Sequence, residues 1–283
     1  MKKKLQSLLI TLMLGVTAAG TAQAGSVYLT GHDVDLHDGQ NGYDNVILNW
    51  LRGAGTTGEI AAANYDIGVL RSPGGFIGDV GINMYEGFGT VDVRTVDSFA
   101  DATAFSAWVS GFDALSISSH ENCGGCSLTT DDSNTINTWA PQITSFFNDG
   151  GDLWGISGAN VSTYYDFLPP SAVASGLPIS GSSGFVATPQ GVGIGITSDM
   201  INGFPTHNRF IGFDPVFTVF EGRPQAGASD EIISIGIRDA RIGTDDISTD
   251  GTGTVPEPAT LSLLALGALG LGLMRRRGKA QAK

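Results

Sequence analysis

Cysteine, lysine and charge in general are scarce in this chain. Only two cysteines occur among 283 residues, so at most one intrachain bridge can form and no disulfide framework holds the fold. Charged residues make up 15% of the chain. Lysine is missing altogether between residues 25 and 254, where seven arginines face 27 acids for a net charge of −20. Such a field repels phosphate backbones and argues against a nucleic-acid partner. The G-x-x-x-x-G-K phosphate loop is also missing, which removes P-loop nucleotide hydrolysis. No repeat of 20–50 residues is present, against a solenoid or propeller.

What is present is 41% apolar residues, enough for a sizeable core, and 41 glycines without a three-residue period, which call for many tight turns. The bases that the middle lacks sit at the ends. Lys2, Lys3 and Lys4 precede an apolar stretch from Leu8 to Val16 and the small-residue pattern Ala22-Gln23-Ala24. This predicts a signal peptide over 1–24, cut by signal peptidase before Gly25. At the other end come Val255-Pro256-Glu257-Pro258, an apolar run from Ala259 to Met274, and Arg275-Arg276-Arg277-Gly278-Lys279. Sixteen helical residues span about 24 Å, which reaches across a membrane once flanking residues are added. The arginines would stay on the cytoplasmic side, leaving the body outside.

This tripartite tail resembles the PEP-CTERM sorting signal of Gram-negative bacteria, with Pro256-Glu257-Pro258 as the motif, a single transmembrane helix and a basic stop at Arg275, Arg276 and Arg277. The resemblance implies recognition by exosortase, cleavage near the motif, and delivery to the cell surface or extracellular polysaccharide matrix.

Residues 25–242 alternate short apolar runs with amphipathic stretches, the pattern of an α/β domain. Expected strands are 27–30, 66–70, 91–96, 114–118, 153–156, 185–187, 216–220 and 232–237. Expected helices start at Asp44, at Ser98 and at Asp131 to Ser133, the last interrupted or delayed by Pro141. This order predicts a three-layer fold, a mainly parallel sheet with helices on both faces, whose ligand sites lie beyond the carboxyl ends of the strands. Residues 243–254, acidic and glycine-rich, read as a linker.

The sharpest chemical candidate is Ser157 in Gly155-Ile156-Ser157-Gly158-Ala159, at a strand end with the small neighbours that a nucleophile turn requires. The stretch from Phe146 to Ala159 resembles the nucleophile elbow of the class I glutamine amidotransferase-like, flavodoxin-like superfamily, with serine where its enzymes carry cysteine. Phe112 to Ser119 resembles that fold's preceding strand, which implies oxyanion donors in the loop from His120 to Gly125. The family's His-x-Glu has no counterpart here. His207 is the one histidine after Ser157, with Glu121, Asp199 or Asp214 as the acid of a triad. The competing assignment makes Ser157 a helix cap and His207 a loop residue.

Cys123 and Cys126, exported to an oxidising compartment, are expected to form a disulfide across two glycines; with His120 they also offer a zinc set. The loop from Gly31 to Asp44 places Asp33, Asp35 and Asp44 at spacings that imitate part of an EF-hand, a calcium candidate, although Asp38 stands where that loop needs glycine. His32, His37 and His120 follow strands, where ligands bind. The functional expectation is a body that binds or presents. Its rivals are a serine hydrolase or amidase built on Ser157 and a cation-dependent saccharide-binding module.

Overall fold

The computed structural model describes residues 24–37, 42–73, 83–123, 127–159, 161–170, 172–179, 181–203 and 205–249. In chain order these form β1 (Gly25–Thr30), α1 (Tyr43–Leu51), β2 (Ile67–Arg71), β3 (Val91–Thr95), α2 (Ala102–Val109), β4 (Ala114–Ile117), α3 (Thr130–Thr138), α4 (Ala140–Asn148) and β5 (Asp152–Gly155). Then follow β6 (Val173–Pro178), β7 (Val186–Ala187), α5 (Pro189–Ile194), α6 (Ser198–Ile201), β8 (Asn208–Phe213), β9 (Thr218–Arg223), β10 (Glu231–Ile242) and β11 (Ile247–Ser248).

The sheet runs β3-β2-β4-β5-β1-β10-β8-β6. Its first five strands are mutually parallel. From β1 onward every pairing is antiparallel. The expected parallel sheet is therefore confined to the first five strands, and the last third of the chain adds an antiparallel wing. The parallel order also departs from the simple flavodoxin sequence 2-1-3-4-5. It keeps that spatial pattern, but the fifth place is filled by the first strand of the chain.

Side-chain alternation along the strands divides the core in two. Val27, Leu29, Leu115, Ile117 and Leu153 face α2, α3 and α4, where Phe105, Ile136, Ile143 and Phe147 are buried. Tyr28, Ile67, Val69 and Trp154 face α1, which buries Tyr43, Ile47, Leu48 and Leu51. Each such side chain contributes about 1.5–3 kcal/mol of burial, so the two clusters fix helices on both faces.

Local signals set the helix ends. α1 begins after Gly42, whose φ of 91° is left-handed, and Asp44 lies inside its first turn rather than capping it. Asp101, not Ser98, caps α2, accepting from Thr103 N at 2.8 Å and Ala104 N at 2.9 Å. Thr129 caps α3, and the stretch expected as one helix is two, with Pro141 in the first turn of α4, where its missing N–H costs nothing. Ile247–Ser248, within the stretch read as a linker, pairs with the end of β10, and Ile247 is buried.

The expected cleavage site after Ala24 is at the edge of the described residues. The rest of the expected signal peptide, the expected transmembrane run Ala259 to Met274, the motif Pro256-Glu257-Pro258 and Arg275, Arg276 and Arg277 all lie outside them. So do Cys126 and the Cys123 side chain, and with them the expected disulfide and the zinc set. Among the described residues no helix is long and apolar enough to cross a membrane.

Candidate functional site

The carboxyl ends of β1, β4 and β5 converge, and the entry to β8 lies across them. Gly31 makes this approach possible. Its N–H donates to Ile233 O at 2.8 Å while His207 N donates to Gly31 O at 2.9 Å. A Cβ at position 31 would fall 1.8 Å from Asn208 O, so only glycine lets the two backbones meet. His32 and Thr206 then pair as an isolated antiparallel bridge.

Ser157 follows β5 and is fully buried. Its hydroxyl donates to Asn208 Oδ1 at 3.0 Å and accepts from Ala159 N at 3.2 Å. The same Asn208 Oδ1 also receives Gly158 N at 2.8 Å and Tyr165 OH at 3.2 Å. In a nucleophile elbow the backbone N–H after the serine belongs to the oxyanion hole, and the serine itself occupies the strained turn. Here that N–H is held by the asparagine, and the left-handed residue is Ala159, with φ of 42°, two positions later. Two described N–H groups of the loop expected to supply further oxyanion donors are engaged too: His120 N donates to Ser157 O at 2.9 Å and Glu121 N to Leu128 O at 2.8 Å.

His207 does not join Ser157. Its Nε2 lies 3.1 Å from Asp33 Oδ2, an oxygen that His37 Nε2 also approaches at 3.3 Å. Burial opposes ionisation of Asp33, but the hydrogen bonds from His207 and His37 outweigh it and hold the carboxyl below its ordinary range. The hydrogen bond to Asp33 raises His37 above the usual imidazole range against partial burial. None of the acids expected for a triad contacts His207. Glu121 Oε1 accepts from Thr130 N at 3.3 Å, Asp214 Oδ1 from Val216 N at 2.9 Å, and Asp199 lies in the first turn of α6.

The three acids read as a cation set also divide. Asp33 takes the two imidazoles. Asp35 accepts from Ser119 N at 2.9 Å and from the Ser119 hydroxyl, and burial pushes its carboxyl up to about 6. Asp44 is buried in the first turn of α1. Among the described residues no three His, Cys, Asp or Glu side chains are grouped to hold a metal ion. His120, its pKa lowered by burial, accepts from Asn122 N through Nδ1 at 3.2 Å and meets Thr130 Oγ1 through Nε2 at 3.3 Å.

Beneath this edge lies a buried polar network around Glu221 of β9. His32 Nε2 is 3.0 Å from Glu221 Oε2, with both side chains fully buried. Tyr43 OH and Ser234 Oγ both donate to Glu221 Oε1. Ser234 Oγ also bonds Thr30 Oγ1 at 2.9 Å, Tyr43 OH lies 2.9 Å from Tyr28 OH, and Thr206 Oγ1 lies 2.7 Å from His32 Nδ1. Three donors thus surround one buried carboxylate, the arrangement a charge needs away from water. Burial, with Glu221 second, lifts the Tyr28 and Tyr43 phenols well above their ordinary range. Glu221 stands in β9 between Phe220 and Gly222, two residues from Arg223, and no local pattern marks it, Asn208 or Thr206 as a site residue.

The fold and this edge define an α/β domain whose strand-end polar groups are bonded to one another. Residues 254–277 match the PEP-CTERM protein-sorting motif, which supports export and sorting by exosortase. No curated protein matches the chain. A peptidase from an acI-B1 Actinobacterium, known from a crystal structure, is similar over 56% of this chain and 60% of its own length, at 16% identity and a TM-score of 0.31. The chain thus spans less than two thirds of that peptidase, and so loose a likeness carries no argument about fold or activity.

Proposed function

We propose that this is a Gram-negative surface or matrix protein, exported by its signal peptide, held transiently by its C-terminal helix and released to the outside by exosortase. Its α/β body works there by binding or presenting rather than by Ser157 catalysis. The sorting motif at 254–277 supports the delivery. One observation carries the rest: Asn208 Oδ1 takes both the Ser157 hydroxyl and the Gly158 N–H, the two groups that a serine hydrolase must offer to its substrate. The net charge of −20 between residues 25 and 254 suits a hydrated polysaccharide surrounding, where like charges keep copies apart.

Two experiments test this reading. Deleting Pro256 to Lys283 should release the body into the periplasm or medium; continued surface retention would sink the sorting assignment. A fluorophosphonate probe should leave the mature protein unlabelled; labelling abolished by Ser157→Ala would establish a hydrolase instead.

A further inference from the structure

At the opposite, amino edge of the parallel strands, Asp152 opens β5 as a carboxyl group that makes no salt bridge among the described residues, with Arg238 attracting it only at longer range. It is 7% exposed. Its oxygens accept from Tyr65 OH at 2.7 Å and from Ser26 N at 2.7 Å. The charged groups around it are Arg238, Asp113, Asp239 and Arg52. Arg238 is held elsewhere: it donates to Trp50 O and its guanidinium lies 4.6 Å over the Trp50 ring. Arg52 is paired with Glu59. Burial therefore dominates and pushes the Asp152 carboxyl up to about 7. A cavity of about 250 Å³ opens beside it, lined by Ala24, Ser26, Arg52, Gly150, Asp152 and Arg238.

Ser26, whose N–H binds Asp152, is one residue from the expected cut. Ser26 N lies 2.7 Å from Asp152 Oδ1. Successive backbone nitrogens are at most about 3.7 Å apart, so Gly25 N lies within about 6.4 Å of that oxygen. In the precursor this nitrogen is a neutral amide. Hydrolysis of the Ala24–Gly25 bond adds water, leaving a carboxylate on the departing signal peptide and an ammonium on Gly25. We propose that this new α-ammonium becomes the counter-charge of the buried Asp152, so that signal-peptide removal completes the electrostatics of the amino edge. The inference rests on the export reading and its cut before Gly25.

The test uses the processed chain, with its first residue established by N-terminal sequencing, as wild type and Asp152→Asn, each with a free and an acetylated α-amine. Acetylation is nearly selective, because the only other amines would be Lys279 and Lys283. In wild type, acetylation should lower the melting temperature at pH 7 by about 2–4 °C, a loss that shrinks as pH falls toward 4 and is missing in Asp152→Asn. Carbon-13 NMR of the wild type should show Asp152 titrating lower with the free amine than after acetylation, a readout that stands even if Asp152→Asn fails to fold. Equal acetylation losses in both proteins, or an Asp152 titration indifferent to acetylation, overturn the inference alone. A mature chain beginning elsewhere overturns the cut-site assignment and the inference with it.

Discussion

Ser157 and Asn208 share a hydrogen bond of 3.0 Å between residues 51 positions apart, and the amide oxygen that makes it also binds the backbone N–H next to the serine. The acceptor reaches this strand end from the first residue of β8. The histidine adjacent to that asparagine turns instead to Asp33.

This asparagine should matter more to stability than the serine. Asn208→Ala leaves the Ser157 hydroxyl buried without its acceptor and the Gly158 N–H with only the longer bond to Tyr165 OH, and should cost about 2–3 kcal/mol in urea unfolding. Ser157→Ala removes one of several donors to Asn208 Oδ1 and should cost about 1 kcal/mol. The reverse ranking would contradict the arrangement.

Glu221 should behave as the shared hydrogen-bond partner of His32, Tyr43 and Ser234. Glu221→Ala should destabilise by about 3–5 kcal/mol, because His32, Tyr43 and Ser234 lose their common acceptor in a dry interior. With His32→Ala already in place the further loss should be smaller, since the two residues belong to one network. A double-mutant cycle measures the difference, and strict additivity would mean that they act separately.

Asp33 and Asp35 should impose opposite pH slopes. The folded Asp35 carboxyl sits at about 6, above its unfolded value near 3.9, so its ionisation weakens the fold as pH rises from about 4 to 6. Asp35→Asn should therefore gain about 1–3 kcal/mol at pH 7 and nothing at pH 4. Asp33, held below its ordinary range, contributes stability above the unfolded carboxyl value that is lost as pH falls through the folded one. Thermal melts should show Asp35→Asn gaining on wild type as pH rises from about 4 to 7, and the loss caused by Asp33→Asn shrinking only below about pH 4, the opposite sense.

Gly31→Ala should lose several kcal/mol, since the new methyl would meet the Asn208 backbone rather than a movable side chain. Chemical shifts of His32 and His207 should move with it, because β1 and β8 must separate. A fully stable Gly31→Ala variant would refute the close approach.

Most of the parallel half was legible in the residues. Val27, Leu29, Leu115 and Leu153 announce their strands because alternation and apolar runs are local properties. Two strands that build the antiparallel wing, Val173–Pro178 and Asn208–Phe213, escaped the reading. Pro178 and the glycines at 176 and 212 blur their pattern, and their partners lie far along the chain. The caps of α2 and α3 differ from expectation by a few positions, as competing Ser, Thr and Asp side chains offer near-equivalent acceptors.

The sequence by itself determined the sorting signal at residues 254–277, because Pro256-Glu257-Pro258 followed by an apolar run and three arginines is a linear pattern that needs no fold to be read. It also determined that an α/β body without lysine would carry a strongly acidic field. Only the tertiary structure decided the chemistry at the strand ends. His207 joins Asp33 across 174 positions, as does Thr206 with His32, and Asn208 reaches Ser157 across 51. Hydrogen bonds require atoms to meet within about 3 Å, and between strands distant in the chain that meeting is set by the order of the sheet, which no local pattern encodes.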